Sequence, residues 1–138
     1  PSNLEHLKQL RKILEAGTVQ IAAQLCTPED ITELRALVAD QRSKLGQDKA
    51  FIQADIAFHL AIAKISGNPL ILAVTQAMLS WLFEYYKPLL KWAGREQTTL
   101  LEHDKIVDFL AAGDAAGAIQ MMGAHLGRSD PLYTGDGQ

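Results

Sequence analysis

Apolar residues in this chain recur every three to four positions along most of its length, and no stretch alternates apolar and polar residues with a period of two. A period near 3.6 lays one stripe along a helix, whereas a half-buried strand needs period two. Composition points the same way, with 20 Leu and 19 Ala against only 4 Val. Leu and Ala lose little side-chain freedom in a helix, and β-branched Val loses more. The expected fold is all-α, an antiparallel bundle of six to seven helices. At 138 residues the chain makes one domain and can bury a core without disulfides.

Breakers divide the pattern. Leu4, Leu7, Leu10 or Arg11, Leu14, Ile21 and Leu25 mark a first helix, with Gly17 as a possible interruption. Thr27-Pro28-Glu29-Asp30 opens a second, since Thr caps, Pro suits the first helical position and acids favour the positive end. That helix is expected to reach Leu45 and stop at Gly46. A third is expected from Asp48 to Ser66, broken by Gly67-Asn68-Pro69. A fourth carries Leu70, Val74, Met78 and Leu82 inward and ends before Pro88. Thr99 and Glu102 have capping-box spacing and are expected to open a fifth. Gly113-Asp114 closes it and caps a sixth, which fades near Gly127. Residues 129–138 are expected to be a flexible tail.

Charge and cysteine usage exclude several classes. The net charge of -3 argues against a nucleic-acid surface on this domain. A lone cysteine, Cys26, forbids an internal disulfide and a Cys-rich zinc ribbon, and reads as a small core residue. No apolar run reaches the ~20 residues that span a bilayer. The start, Pro1-Ser2-Asn3, lacks both an initiator Met and the order of a signal peptide. Either a longer parent protein or removal of the Met would explain this, and the expected location is the cytoplasm.

The informative residues are ionisable ones on stripes that should be apolar. In the third helix the inward stripe reads Ile52, Asp55 or Ile56, His59, then Ile62 or Ala63, so Asp55 and His59 sit one turn apart on one face. His103 shares a face with Leu100, Val107 and Leu110, and His125 with Ala118 and Met121 or Met122. A carboxylate in an apolar core needs a partner. A divalent metal bound by Asp55, His59, His103 and His125 would satisfy all four groups, and imidazole with carboxylate suits Zn, Ni, Mn or Fe. Each histidine taken alone reads more readily as a core residue bonded to a neighbour, and Asp55 could pair with His59 or with a Lys or Arg; the four together leave both readings open. His6 falls off the stripe and reads as exposed. Trp81, Phe83, Tyr85 and Tyr86 crowd one stretch, as core or dimer packing or as the lining of a pocket or partner surface.

Several familiar sites are missing. The chain has no H-E-x-x-H and no E-x-x-H pair, no Gly-rich phosphate loop and no G-x-S-x-G elbow.

The segment Asp55-Ile56-Ala57-Phe58-His59-Leu60-Ala61-Ile62-Ala63, followed by Ser66-Gly67-Asn68-Pro69-Leu70, resembles the FCD domain, the ligand-sensing C-terminal domain of FadR-type GntR transcription regulators. Glu102-His103, Ile106, Ala112-Gly113-Asp114, Ala118, Met122 and His125-Leu126 follow the same family's order. Leu10-Arg11, Glu15 and Ala22-Ala23 resemble its first helix, and Thr27-Pro28-Glu29-Asp30 its second start. The resemblance covers roughly residues 4 to 128. It implies an FCD-type effector-binding and dimerisation domain over 1–128, with the winged helix-turn-helix outside this chain. It also implies one divalent ion on Asp55, His59, His103 and His125, with Zn or Ni expected as isolated. A small carboxylate effector would bind at or beside that ion, and DNA only through the winged helix-turn-helix. Arg11 resembles an arginine of the family that can face the pocket and bind a carboxylate, or it is a surface residue paired with Glu15. Two departures are Gln9, where an acid is common, and Phe109-Leu110, where Ala-Ile is common. Phe109 is expected to alter the pocket wall.

The expected function is thus a metal-containing effector sensor, homodimeric and not an enzyme. A metal-dependent hydrolase or lyase on the same ligands would need a general base at the open metal position. Glu102 and Asp104 flank His103 but project to other faces. A purely structural dimerisation module is the remaining alternative.

Overall fold

The computed structural model describes residues 3–85, 94–129 and 131. Among these residues the chain forms six helices and no strand: α1 (Asn3–Leu25), α2 (Pro28–Arg42), α3 (Asp48–Ile65), α4 (Pro69–Tyr85), α5 (Glu96–Ala111) and α6 (Ala115–Ser129). The expected all-α bundle is what the chain forms. The expected tail lies almost wholly outside the described residues, as do Tyr86 and Pro88, and α6 continues past Gly127 to Ser129.

Local chemistry sets most boundaries. Thr27 and Asp30 close a reciprocal capping box, with Thr27 Oγ1 accepting from the Asp30 N–H at 3.1 Å and Asp30 Oδ2 from the Thr27 N–H at 2.9 Å. Asn68 Oδ1 accepts from the N–H groups of Leu70 and Ile71 and starts α4. Asp114 Oδ1 accepts from the Gly117 N–H and starts α6. Gly67 and Gly113 turn the chain at φ of +72° and +68°, where a side chain would be strained.

Four expectations change. α1 runs unbroken through Gly17, because its tertiary contacts outweigh the roughly 1 kcal/mol that an interior glycine costs. α2 ends at Arg42 and residues 43–46 form turns, short of Leu45. α5 begins at Glu96, so Thr99 lies buried within the helix and Glu102 is drawn elsewhere instead of capping. On α4 only Met78 and Leu82 of the expected stripe face inward, with Thr75 and Leu79, while Leu70 and Val74 are exposed. The reason is coverage: among the described residues α4 rests chiefly on α3 and α1, which leaves its other side open.

α1 is the hub, touching α3, α4, α5 and α6, while α2 bridges α3 and α5. Its buried face is Leu4, Leu7, Arg11, Glu15, Thr18, Val19, Ala22 and Ala23, whereas Leu10 and Leu25 point to solvent. Val19, Leu34, Phe58, Leu100, Ile106 and Leu126 are fully enclosed in one core. Cys26 is half-buried against that core, its thiol donating to the Leu110 carbonyl at 3.3 Å. Trp81 is half exposed and, with Asn3, His6, Leu7 and Leu10, lines a groove between α1 and α4.

Thr27→Ala removes the Oγ1 that accepts from the Asp30 N–H, while the backbone N–H of residue 27 still donates to Asp30, and is expected to cost about 1 kcal/mol. Leu34→Ala opens a cavity in the sealed core and is expected to cost about 3 kcal/mol. Urea denaturation of both variants checks the order, and equal losses would mean that Leu34 is not a keystone of packing.

Candidate metal centre

α3 turns Asp55 and His59 inward from successive turns, α5 supplies His103, and α6 supplies His125. All four are buried, and one ligand atom from each lies within 4.8 Å of every other. The sequence-expected set is therefore brought together at one point. His103 Nε2 stands 3.0 Å from Asp55 Oδ1 and 3.3 Å from His125 Nε2, and His59 Nε2 stands 3.8 Å from Asp55 Oδ1. Phe58 stacks on the His103 ring with centroids 4.1 Å apart and helps to hold its plane.

The outer nitrogen of each ring decides what the inner one can do. His59 Nδ1 meets Glu15 Oε1 at 2.5 Å, His103 Nδ1 meets Gln41 Oε1 at 2.9 Å, and His125 Nδ1 meets Glu102 Oε1 at 2.9 Å. Carboxylates only accept, and the Gln41 amide nitrogen is turned to the Phe51 carbonyl at 3.4 Å, which leaves its oxygen for His103. Each Nδ1 therefore carries the hydrogen, and each Nε2 presents a lone pair inward. With all three rings neutral, three imidazole lone pairs and a carboxylate converge with no donor among them. Asp55 Oδ1 and His59 Nε2 are buried without a hydrogen bond of good geometry, despite the short distance from His103 to Asp55. Such a cluster calls for a cation, and an outer acceptor on every imidazole is how ligating histidines are oriented. The residues present fit a divalent metal.

Electrostatics agree. Burial holds His103 and His125 below the usual imidazole range, His125 down to about 3, so both rings stay neutral and able to ligate. Burial opposes the Asp55 charge, but positive charge at His59 and the contact with His103 outweigh it and keep the carboxyl well below its ordinary range, an attraction that a cation would supply when the rings are neutral. Burial likewise opposes the Glu15 charge, while His59 and Arg11 together bring it down to about 2.

Two charge relays extend outward. Arg11 Nε donates to Glu15 Oε2 at 2.6 Å, and Arg128 pairs with Glu102 Oε2. Arg11 is thus buried and paired with Glu15 at once, behind His59. Glu102 does not project away, as the sequence suggested, but meets the His125 ring. Asp104 does project outward, to Arg42 at 2.9 Å. Phe109 covers Gly117 on α6, about two turns before His125, and Gln9 is exposed. His6 is exposed as expected.

Sequence reasoning missed Glu15, Gln41 and Glu102 as supports of the centre. Gln41 continues the Leu34–Val38 stripe of α2, and Glu15 lies on the buried stripe of α1. The argument that singled out Asp55 applies to both. Glu102 had no such signal, because its position depends on α6 packing beside α5.

Glu15→Leu removes the carboxylate between Arg11 and His59. In chelator-treated protein it is expected to cost on the order of 3 kcal/mol, because it breaks a buried ion pair from one side. Urea denaturation measures this, and wild-type stability would show that the buried Arg11 does not depend on Glu15.

The FCD domain family model matches residues 6–128. The HTH-type transcriptional repressor NanR of Escherichia coli K12 is 30% identical over 140 residues, covering all of this chain and 53% of that protein. NanR of Shigella flexneri matches equally. The chain thus spans about half the length of these relatives. Among solved structures, E. coli McbR/YncC superposes with a TM-score of 0.78 at 21% identity, covering 91% of this chain and 64% of that one. Streptococcus agalactiae GntR gives 0.79 at 20% identity, covering 93% and 58%. The metal-free FCD domain of TM0439 gives 0.70 at 17% identity, covering 94% and 89%. At these identities the structures speak for the shared fold alone. With the family model spanning nearly the whole chain, and the same helical domain recurring in these structures, this chain belongs to the FCD domain family.

Proposed function

We propose that this domain is the metal-containing effector sensor of a transcription regulator. The observation that carries the reading is the convergence of buried Asp55, His59, His103 and His125, with Asp55 Oδ1 and His59 Nε2 unpartnered and each histidine pinned by an outer partner. These four residues would hold one divalent ion, Zn, Ni, Mn or Fe, with Zn or Ni expected as isolated. When bound, the ion supplies a Lewis-acid centre with one or two positions for water or a carboxylate oxygen. A small carboxylate such as lactate, glycolate or a sugar acid is the effector class. Arg11 lies behind His59 and offers positive charge on the α1 side of such an anion.

The chain's own residues explain how binding would be transmitted. The centre draws on α3, α5 and α6, and its supports on α1 and α2, so an effector that prefers one arrangement biases five helices together. In a homodimer this shifts the population of two bundle arrangements, and with it the spacing of attached DNA-reading winged helix-turn-helix domains. The relatives above are named as transcriptional repressors, which supports this role and a place in the bacterial cytoplasm. No described helix is long and apolar enough to cross a membrane.

A hydrolase or lyase is less well supported. Glu102 and Glu15 are each engaged by a ligand's Nδ1, and Asp104 points to Arg42, so none is placed as a general base at the open side. A purely structural module leaves the buried cluster of acceptors unexplained.

Purified protein is expected to carry one divalent ion per chain by elemental analysis. His103→Ala and His125→Ala are expected to lose it, and chelation to lower the thermal midpoint of wild type but not of the variants. Metal-free wild type with an unmoved midpoint would end the metal reading. A carboxylate panel should raise the midpoint of loaded protein without turnover, whereas turnover would favour the enzyme.

A further inference from the structure

The two relays behind the centre have the same order, imidazole Nδ1 to carboxylate to arginine, but opposite settings. On α1 the arginine is sealed, with Arg11 2% exposed. At the junction of α5 and α6 it is open, and the Arg128 side chain is 47% exposed. Glu102 itself is only 4% exposed, and one carboxylate serves both neighbours, Oε1 facing His125 and Oε2 facing Arg128. A cleft lined by Arg95, Thr98, Thr99, Glu102, Arg128 and Ser129 reaches this carboxylate from outside.

We infer that Arg128 is a positioning residue for the metal centre, holding Glu102 against His125 from the protein surface. The inference rests on the metal reading above. Its physical basis is the cost of an uncompensated buried carboxylate. With Arg128 removed, Glu102 regains solvation by swinging into the vacated cleft. That movement weakens the acceptor on His125 Nδ1. The ring then loses its fixed tautomer, and its Nε2 becomes a poorer ligand. Arg11 has no such escape route for Glu15, so the two relays differ in function: one is a permanent support and the other can be adjusted from outside.

Arg128 also ends α6, where a cation is favourable to any helix. The test must therefore separate ligation from fold stability. Arg128→Ala, Arg128→Lys and Arg42→Ala are compared with wild type. Arg42 is 48% exposed and pairs with Asp104, so it matches Arg128 in exposure and charge but does not reach a histidine. Each protein is stripped with chelator and titrated with Co2+, following the visible absorption of the bound ion, then competed with Zn2+. Thermal midpoints of the stripped proteins report the fold.

Arg128→Ala is expected to bind Co2+ about tenfold more weakly, the lower end of what outer-shell substitutions do, with a changed visible spectrum. Arg128→Lys recovers part of the affinity, and Arg42→Ala behaves as wild type. Wild-type affinity and spectrum in Arg128→Ala overturn the inference, as does an equal loss in Arg42→Ala. Should Arg128→Ala not fold, Arg128→Lys decides alone: a Co2+ spectrum and affinity equal to wild type in every respect counts against a positioning role that depends on the guanidinium fork. Wild type that binds no Co2+ overturns the metal reading itself and this inference with it, a result distinct from failure confined to the variant.

Discussion

The structure is organised around one electrostatic problem, a set of lone pairs facing one another in a dry interior. The Nε2 atoms of His103 and His125 are 3.3 Å apart, and Asp55 Oδ1 stands 3.0 Å from the first of them. With the rings neutral, no neighbour among the described residues donates into this cluster. The fold keeps it there by spending its polar side chains on the far side of each ring, at Glu15, Gln41 and Glu102. A cation at the centre would offset the cost, since unpaired buried acceptors are otherwise among the most expensive groups a core can hold.

That arrangement ties the helices together. α1 contributes Arg11 and Glu15, α2 Gln41, α3 Asp55 and His59, α5 Glu102 and His103, and α6 His125 and Arg128. Among the described residues only α4 adds no member. It closes the bundle with Met78, Leu79 and Leu82. The centre is therefore joined to the packing of five helices, and the register of any one of them is felt by the ligands. A sensor needs this property, because an effector moves an equilibrium only by its differential contact with two states. The FCD family membership places such a centre in a domain type that accompanies DNA-reading heads in its relatives, here represented over about half their length.

Much of the site was legible one helix at a time. Asp55 and His59 stand four apart on a stripe, and His103 and His125 each replace an apolar residue on theirs. Glu15 and Gln41 were legible by the same rule but were read only for what lay beside them in sequence. Glu102 was misread twice, as a cap for Thr99 and as an outward neighbour of His103. Both readings follow from α5 seen in isolation, where position 102 lies about 100° from position 103. α6 packs into that side, so two adjacent residues of α5 both face buried space.

By itself, the sequence determined the fold class, the order of the helices and the punctuation between them, because periodicity, capping residues and glycine turns act over a few residues. It also marked Asp55, His59, His103 and His125 as polar residues on buried stripes, since a stripe has a face, but not Glu102. Tertiary structure alone decided which of those residues meet, which nitrogen of each histidine carries the hydrogen, and which face of α4 is covered. Those outcomes depend on contacts between residues far apart in the chain, such as His59 with Glu15 and His103 with Gln41. No spacing rule reaches that far, because the angle and offset between two helices are set by how their side chains pack.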